Sequence, residues 1–213
     1  MSHGPLLLIV SSPSGAGKTT LTNALRERVD RLEFSVSHTT RSPRASEQDG
    51  REYHFVSKAD FQKEVASDAF LEWAEVHGNL YGTSQAEIER AGDARGLIFD
   101  VDHQGARQIK SQRPDAVAIF ILPPSLKTLY QRLKGRASED AATVNRRFEV
   151  AQEEIAHYGL FDYVLMNDDL ETAIDQLGSI FKAEECRRLR SANLAEQLLR
   201  EGRVLDGDVP PTS

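Results

Sequence analysis

The chain has 213 residues, enough to bury a sizeable core in one domain, and its 39% hydrophobic and 28% charged content is ordinary for a globular protein in water. A formal charge of −7 argues against non-specific nucleic-acid binding, which needs a basic field, although a local arginine cluster can still hold a mononucleotide. No apolar run approaches the ~20 residues that cross a bilayer, and the single cysteine, Cys186, allows no internal disulfide, so the expectation is a cytoplasmic protein without a membrane partner.

The first element is the apolar run "LLLIV" (6–10). It has no basic region before it and leads straight into a glycine loop, so it reads as a buried strand and not as a signal peptide. "SSPSGAGKTT" (11–20) follows. It fits the phosphate-binding pattern G-x-x-x-x-G-K-[ST], except that Ser12 stands where the first glycine belongs. The plain alternative is a glycine-rich turn joining strand to helix. Against that, Gly15, Gly17, Lys18 and Thr19 are all in register between a buried strand and a helical pattern over Thr19–Arg31. The glycines let backbone N–H groups converge on phosphate oxygens at a helix N-terminus. Lys18 would reach the β and γ phosphates, and Thr19 would offer its hydroxyl to Mg²⁺. Ser12 requires only a backbone conformation open to a residue with a Cβ.

Residues 34–92 break the rhythm, with β-rich alternation in "EFSVSHTTR", "REYHFV" and "FLEWAEV" and a short helix over "SKADFQKEV", where Ser57 is the expected N-cap and Asp60 lies in the first turn. Arg41 and Arg44 flank "SP", and Tyr53 follows. Two guanidinium forks on one turn can face one anion; a solvated basic loop is the bland reading. Glu72 sits in an apolar strand, where an unpaired carboxylate is costly, so it needs a partner. Trp73, beside it on the opposite strand face, is expected in the core.

"GLIFDVD" (96–102) is a second buried strand, and alternation puts Asp100 and Asp102 on one side of its C-terminal end, where α/β sheets place ligands. Capping of the next helix, His103–Gln112, is the alternative for these carboxylates. A strand over 116–122, helices over Leu126–Gly135 and Glu139–Tyr158, a strand over 162–166 and one long helix over Leu170–Glu201 complete the pattern, with 205–213 as a frayed tail. The alternation specifies an α/β layered fold with a parallel sheet. Cys186 on the last helix reads as an inert thiol, and the six histidines lack zinc-ligand spacing.

Seven segments together resemble the guanylate kinase family: "SSPSGAGKTT", "FSVSHTTRSPR", "DGREYHFV", "FLEWAEVHGNLYGTS", "FDVDHQGARQIK", "RLKGRASED…NRRFEVAQEE" and "FDYVLMNDDL", in family order from about residue 7 to 172. The resemblance implies a P-loop NTPase core (5–36, 93–125 and 158–204), an inserted α+β GMP-binding subdomain (37–92) and a helical lid (126–157). It implies transfer of the ATP γ-phosphoryl group to GMP, with Mg²⁺ held near Thr19 and Asp100. By the same resemblance, Ser11, Ser12, Pro13, Ser14, Gly15, Ala16, Gly17, Lys18, Thr19 and Thr20 bind ATP, and Asn167 lies beside its adenine. Arg41, Arg44, Tyr53 and Tyr81 grip the GMP phosphate; Ser37, Glu72 and Thr83 read guanine, with Asp102 nearby. Lys18, Arg41, Arg136 and Arg147 stabilise the migrating phosphoryl. Arg136 and Arg147, eleven residues apart, would share one face of a lid helix. One departure is Ala137 and Ser138, where the family often has a glycine and a threonine. A ribose-phosphate kinase and a non-catalytic interaction module are the competing readings. The expected partners are ATP and GMP, with no nucleic acid; the oligomeric state stays open.

Overall fold

A computed structural model describes residues 4–207 except His77 and residues 136–139, with side chains described as far as residue 201. Arg136, Ala137 and Ser138 therefore lie outside the described residues. In chain order, β1 (Leu6–Ser11) leads through the glycine loop into α1 (Lys18–Arg28) and then β2 (Leu32–Phe34). Next come β3 (His38–Thr39), β4 (His54–Phe55), α2 (Lys58–Ala66), β5 (Phe70–Val76), β6 (Asn79–Ser84) and α3 (Ala86–Ala91). The chain continues with β7 (Gly96–Asp100), α4 (His103–Gln112), β8 (Val117–Leu122), α5 (Leu126–Lys134) and α6 (Ala141–Ala156). A 3₁₀ turn (Tyr158–Leu160), β9 (Tyr163–Met166), α7 (Leu170–Glu185) and α8 (Arg188–Gly207) follow.

The core sheet is parallel, in the order β2-β7-β1-β8-β9. β1 is buried at every position because it is central and covered on both faces. Leu6, Leu8 and Val10 pack with Leu21 and Leu25 of α1 and with Leu177 and Phe181 of α7. Leu7 and Ile9 point the other way, into a cluster with Phe99 and with Ala106 and Ile109 of α4. A side chain so buried contributes roughly 1.5–3 kcal/mol, and the two-sided cover explains a continuous apolar run where a half-exposed strand would alternate. β2 is a fifth core strand, at the edge beside β7, that the sequence pattern had merged with the β-rich insertion. With only three residues, it shows no period of its own.

A second sheet, β4-β3-β6-β5, rises from residues 38–84. Its own core is small: Phe61 of α2 stacks on Phe70 at 4.5 Å, beside Leu80. Ser57 caps α2, as expected, by accepting from the Asp60 N–H at 3.1 Å. The β5–β6 register slips between Phe70 and Glu72. This bulge turns neighbouring Leu71 and Glu72 toward the same side: Leu71 joins the β7–α4 core cluster, and Glu72 faces Gly105 of α4. Trp73 then falls on the other face, as predicted, but not in a core; it is 41% exposed because α2 covers Phe70 and leaves the outer part of β5 bare.

α5 and α6 pack through Leu129, Leu133, Val144 and Ala151. Asp140 caps α6 by accepting from the Thr143 N–H, so that helix begins at Ala141; the shared face expected for Arg136 and Arg147 turns on Arg136, which lies outside the described residues. At its other end His157 stacks on His103 of α4, ring centroids 3.9 Å apart. The single C-terminal helix of the sequence reading is two helices. α7 buries Ala173, Ile174, Leu177 and Phe181, whereas α8 leaves Leu189, Leu194 and Leu198 exposed and runs to Gly207, into the expected tail. No glycine or proline marks the break at 186–187, which is why the sequence does not show it. Cys186 sits at that break as the exposed C-cap of α7.

Candidate active site

The loop between β1 and α1 lies at the C-terminal end of the sheet. Gly15 and Gly17 both adopt positive φ, +94° and +98°, a region that side chains with a Cβ avoid. A Cβ on Gly17 would come within 2.3 Å of the Asn167 amide nitrogen. Ser12 is not among the positive-φ residues, so its Cβ meets no backbone strain. Behind the loop, buried Asn167 at the end of β9 donates to the Ala16 carbonyl at 2.7 Å, and Arg132 of α5 donates to the same oxygen at 3.3 Å.

In front of it opens a cavity of about 410 Å³ lined by Ser12, Pro13, Ser14, Gly15, Gly17, Lys18, Thr19 and Thr20 on one side and Asp100, Asp102 and Glu154 on the other. Lys18 forms an ion pair with Asp100 across it. Asp102 takes the capping role that the sequence left open, accepting from the N–H groups of Gln104 and Gly105, each at 2.9 Å. α6 reaches the same loop: Arg147 donates to the Ser14 hydroxyl at 2.9 Å, and Glu154 accepts from the Ser14 N–H at 3.3 Å. A second cleft of about 470 Å³, on the other side of the loop, is lined by Gly15, Gly17, Thr20, Arg132, Asn167 and Asp168, among others.

The second sheet carries two polar groupings. In the first, Thr83 donates to Glu72 at 2.7 Å, and the Ser37 and Thr83 hydroxyls lie 3.1 Å apart. Burial, aided by the nearby Asp102 charge, pushes the Glu72 carboxyl up to about 7, against the opposing bond from Thr83. In the second, Glu47 accepts two bonds from one Arg41 nitrogen, at 2.9 and 3.0 Å, and a third from the Arg44 backbone N–H at 2.8 Å. Those bonds hold Glu47 below the usual carboxylate range. Arg41 also lies over the Tyr53 and Phe55 rings, 5.5 and 5.8 Å from their centroids, and Tyr53 packs edge-on to Tyr81 at 5.9 Å. The Arg44 side chain is exposed.

A phosphate loop, an arginine–tyrosine grouping and a buried carboxylate on an inserted sheet are joined in one fold, and the family model for guanylate kinase matches residues 5–184. The chain belongs to the guanylate kinase family. A guanylate kinase of Aromatoleum aromaticum is 46% identical over 203 residues, covering 95% of this chain and 98% of its relative. One from Koribacter versatilis is 49% identical over 196 residues, covering 90% and 83%. The crystal structure of guanylate kinase from Anaplasma phagocytophilum superposes with a TM-score of 0.72 at 32% identity, covering 93% of this chain and 95% of that one.

Within this guanylate kinase fold, the residues singled out in the sequence fall into coherent groups. The phosphate loop meets Asp100, Asp102 and Arg147; Ser37, Glu72 and Thr83 form one chain; Arg41, Tyr53 and Tyr81 form another. Two residues were missed. Glu47 had a signal in its spacing, a carboxylate three residues after Arg44 in a turn. Glu154 had only its separation of seven from Arg147, which repeats a helix face after two turns.

Proposed function

We propose that this guanylate kinase transfers the γ-phosphoryl group of MgATP to GMP, giving ADP and GDP. The observation that carries the reading is Glu72, 7% exposed and bonded to Thr83 in the inserted sheet. Guanine offers two adjacent donors, N1–H and the N2 amine, and a carboxylate accepts both. Adenine has no N1 proton, so it would leave the buried carboxylate unpaired, and such sites reject analogues by ~10⁴ or more. The division into core, GMP-binding insertion (37–92) and lid (126–157) belongs to this reading.

The glycine loop would hold the ATP phosphates on its N–H groups, with Lys18 leaving Asp100 to reach the β and γ oxygens. Asn167, already behind the loop, would border the adenine from the second cleft. Arg41, Arg44, Tyr53 and Tyr81 would grip the GMP phosphate, replacing the Glu47 contact on Arg41 in whole or part. Arg136 and Arg147 would face the migrating phosphoryl. The Thr19 hydroxyl and the Asp100 carboxylate line one cavity, a hard-oxygen donor set that suits Mg²⁺. When bound, that ion neutralises phosphate charge. The GMP phosphate oxygen attacks the γ-phosphorus in line, the bond to the ADP oxygen breaks, and the protein contributes position and charge rather than a covalent bond. Closure of lid and insertion would exclude water, which otherwise competes as acceptor. Among the described residues no helix is long and apolar enough to cross a membrane; a cytoplasmic setting fits the single cysteine.

A coupled assay of ADP release with GMP, AMP and ribose phosphates tests the reading. GMP should be turned over far faster than the rest. Preference for a ribose phosphate would favour the related sugar-phosphate kinase, and no ADP release with any acceptor would favour an interaction module.

A further inference from the structure

Arg147 and Glu154 meet the phosphate loop at a single residue. The Ser14 hydroxyl oxygen accepts from Arg147 at 2.9 Å, and the Ser14 N–H donates to Glu154 at 3.3 Å. The two side chains lie seven residues apart on α6, two turns, so they share a face and bracket a stretch of ~10.5 Å along the helix axis. One contact would let α6 pivot on the loop; two contacts on one residue fix both its position and its rotation. Val144 and Ala151, also seven apart, point instead into the packing with α5. The helix thus has one face for its neighbour and another for the loop.

The place of Glu154 calls for an explanation in its own right. It lines the cavity of Lys18, Thr19, Asp100 and Asp102, where phosphates would enter and a third carboxylate is electrostatically adverse. Burial raises its pKa, the sign of a carboxylate held away from water for some return. The return visible in the structure is the loop N–H at 3.3 Å, with the Lys18 charge across the cavity adding a weaker attraction.

We propose that Glu154 is a positioning residue: it docks the lid helix on the phosphate loop and so delivers Arg147 to the reacting phosphoryl. The inference rests on the phosphoryl-transfer reading above and adds to it a residue that does not touch the substrate.

The test is steady-state kinetics on purified Glu154→Ala, Glu154→Gln, Arg147→Ala and the double variant Glu154→Ala/Arg147→Ala, with thermal unfolding of each. Glu154→Ala should lower kcat by ~10- to 100-fold, the penalty of a misplaced catalytic group, with KM for GMP unchanged. Glu154→Gln should recover most of that loss, because the amide oxygen still accepts from the Ser14 N–H. The double variant should be no slower than Arg147→Ala within about threefold, since a residue that acts through Arg147 has nothing left to deliver. Additive losses, or a glutamine variant as slow as alanine, would overturn the proposal. So would a lower KM for ATP at unchanged kcat, which would make Glu154 a blocker of the phosphate site. If Glu154→Ala does not fold, Glu154→Gln and its double with Arg147→Ala give the same comparison: the roughly few-fold loss of kcat left in the first should vanish once Arg147→Ala is already present. Full kcat in Arg147→Ala would overturn the reading of that arginine and this proposal with it. A slow Arg147→Ala beside a normal Glu154→Ala would overturn this proposal alone.

Discussion

On the phosphate-loop side, backbone sets the geometry. Gly15 and Gly17 take φ values closed to other residues, Asn167 pins Ala16 from behind, and β1 beneath is buried at every position. On the inserted-sheet side, side chains set it. β3 and β4 are two residues long, the local core is Phe61, Phe70 and Leu80, and the polar groups hold one another: Arg41 with Glu47, Glu72 with Thr83. A site made of backbone on a packed sheet is formed before its ligand arrives. A site made of charged side chains on a thin sheet changes partners when the ligand brings its own charges and donors. The first should therefore resist mutation except at the group that touches phosphate, and the second should respond to each polar group and to pH.

The largest effect is expected on the preformed side. Lys18→Ala removes the one side-chain cation that the loop itself presents to the cavity, while its backbone, its glycines and the Asn167 contact remain. Turnover should fall by ~10³-fold or more, as when a preorganised charge facing the transition state is lost, with little change in thermal stability. Near-normal turnover in the folded variant would refute the role given to Lys18 and the contrast between the two sides.

The same contrast explains what could be read in the sequence. The loop was legible because its function needs particular residue types at fixed spacing, and the core strands because burial on two faces writes a continuous apolar run. The position of Glu72 was legible from the cost of a carboxylate in such a strand. The bulge that turns Glu72 inward was not, because it depends on pairing with β6 and on Gly105, whose Cβ would lie 3.1 Å from the Glu72 oxygen. The exposure of Trp73 and the break before α8 were hidden for a related reason: local pattern shows which face a residue takes, not whether another element covers it. Glu47 and Glu154 escaped because each bonds a group brought near by a turn or by the packing of α6 against the loop.

Glu72→Gln tests the side-chain half next. The glutamine keeps the size but puts an amine where one acceptor oxygen stood, facing a guanine donor. Losing a hydrogen bond to a charged group costs ~1.5–3 kcal/mol, and the donor–donor contact adds to it. kcat/KM for GMP should fall roughly tenfold to a few hundredfold. AMP should lose less, because the wild-type carboxylate already opposes it. The quantity to measure is the GMP/AMP ratio of kcat/KM in both proteins; an unchanged ratio would mean that another residue reads the base.

The smallest effect is in pH. Burial raises Glu72 to about 7 from its ordinary 4.5, so in the empty pocket the carboxyl is protonated below neutrality and ionised above it. Guanine needs the ionised form as a double acceptor. As pH falls below about 7, a growing fraction of the protein must lose that proton before GMP can bind, and KM for GMP should rise by up to ~tenfold per pH unit. Above pH 7 it should level off. Stability without ligand runs the other way. A folded-state pKa above the unfolded one means that the folded chain holds the extra proton, so this contribution is complete below about 4.5 and is lost as pH rises through 7. GMP, which binds the ionised form, should restore stability on the alkaline side. The GMP phosphate also titrates in this range, so Glu72→Gln is the control: it keeps the ligand's own pH dependence and lacks the protein's. KM for GMP measured from pH 6 to 8 should be steeper in the wild type than in Glu72→Gln, and the unliganded wild type should lose thermal stability over the same range while the variant does not. Parallel KM profiles would show that Glu72 is ionised throughout. The inserted sheet would then be as fully formed before its ligand as the phosphate loop, and the difference between the two sides would disappear.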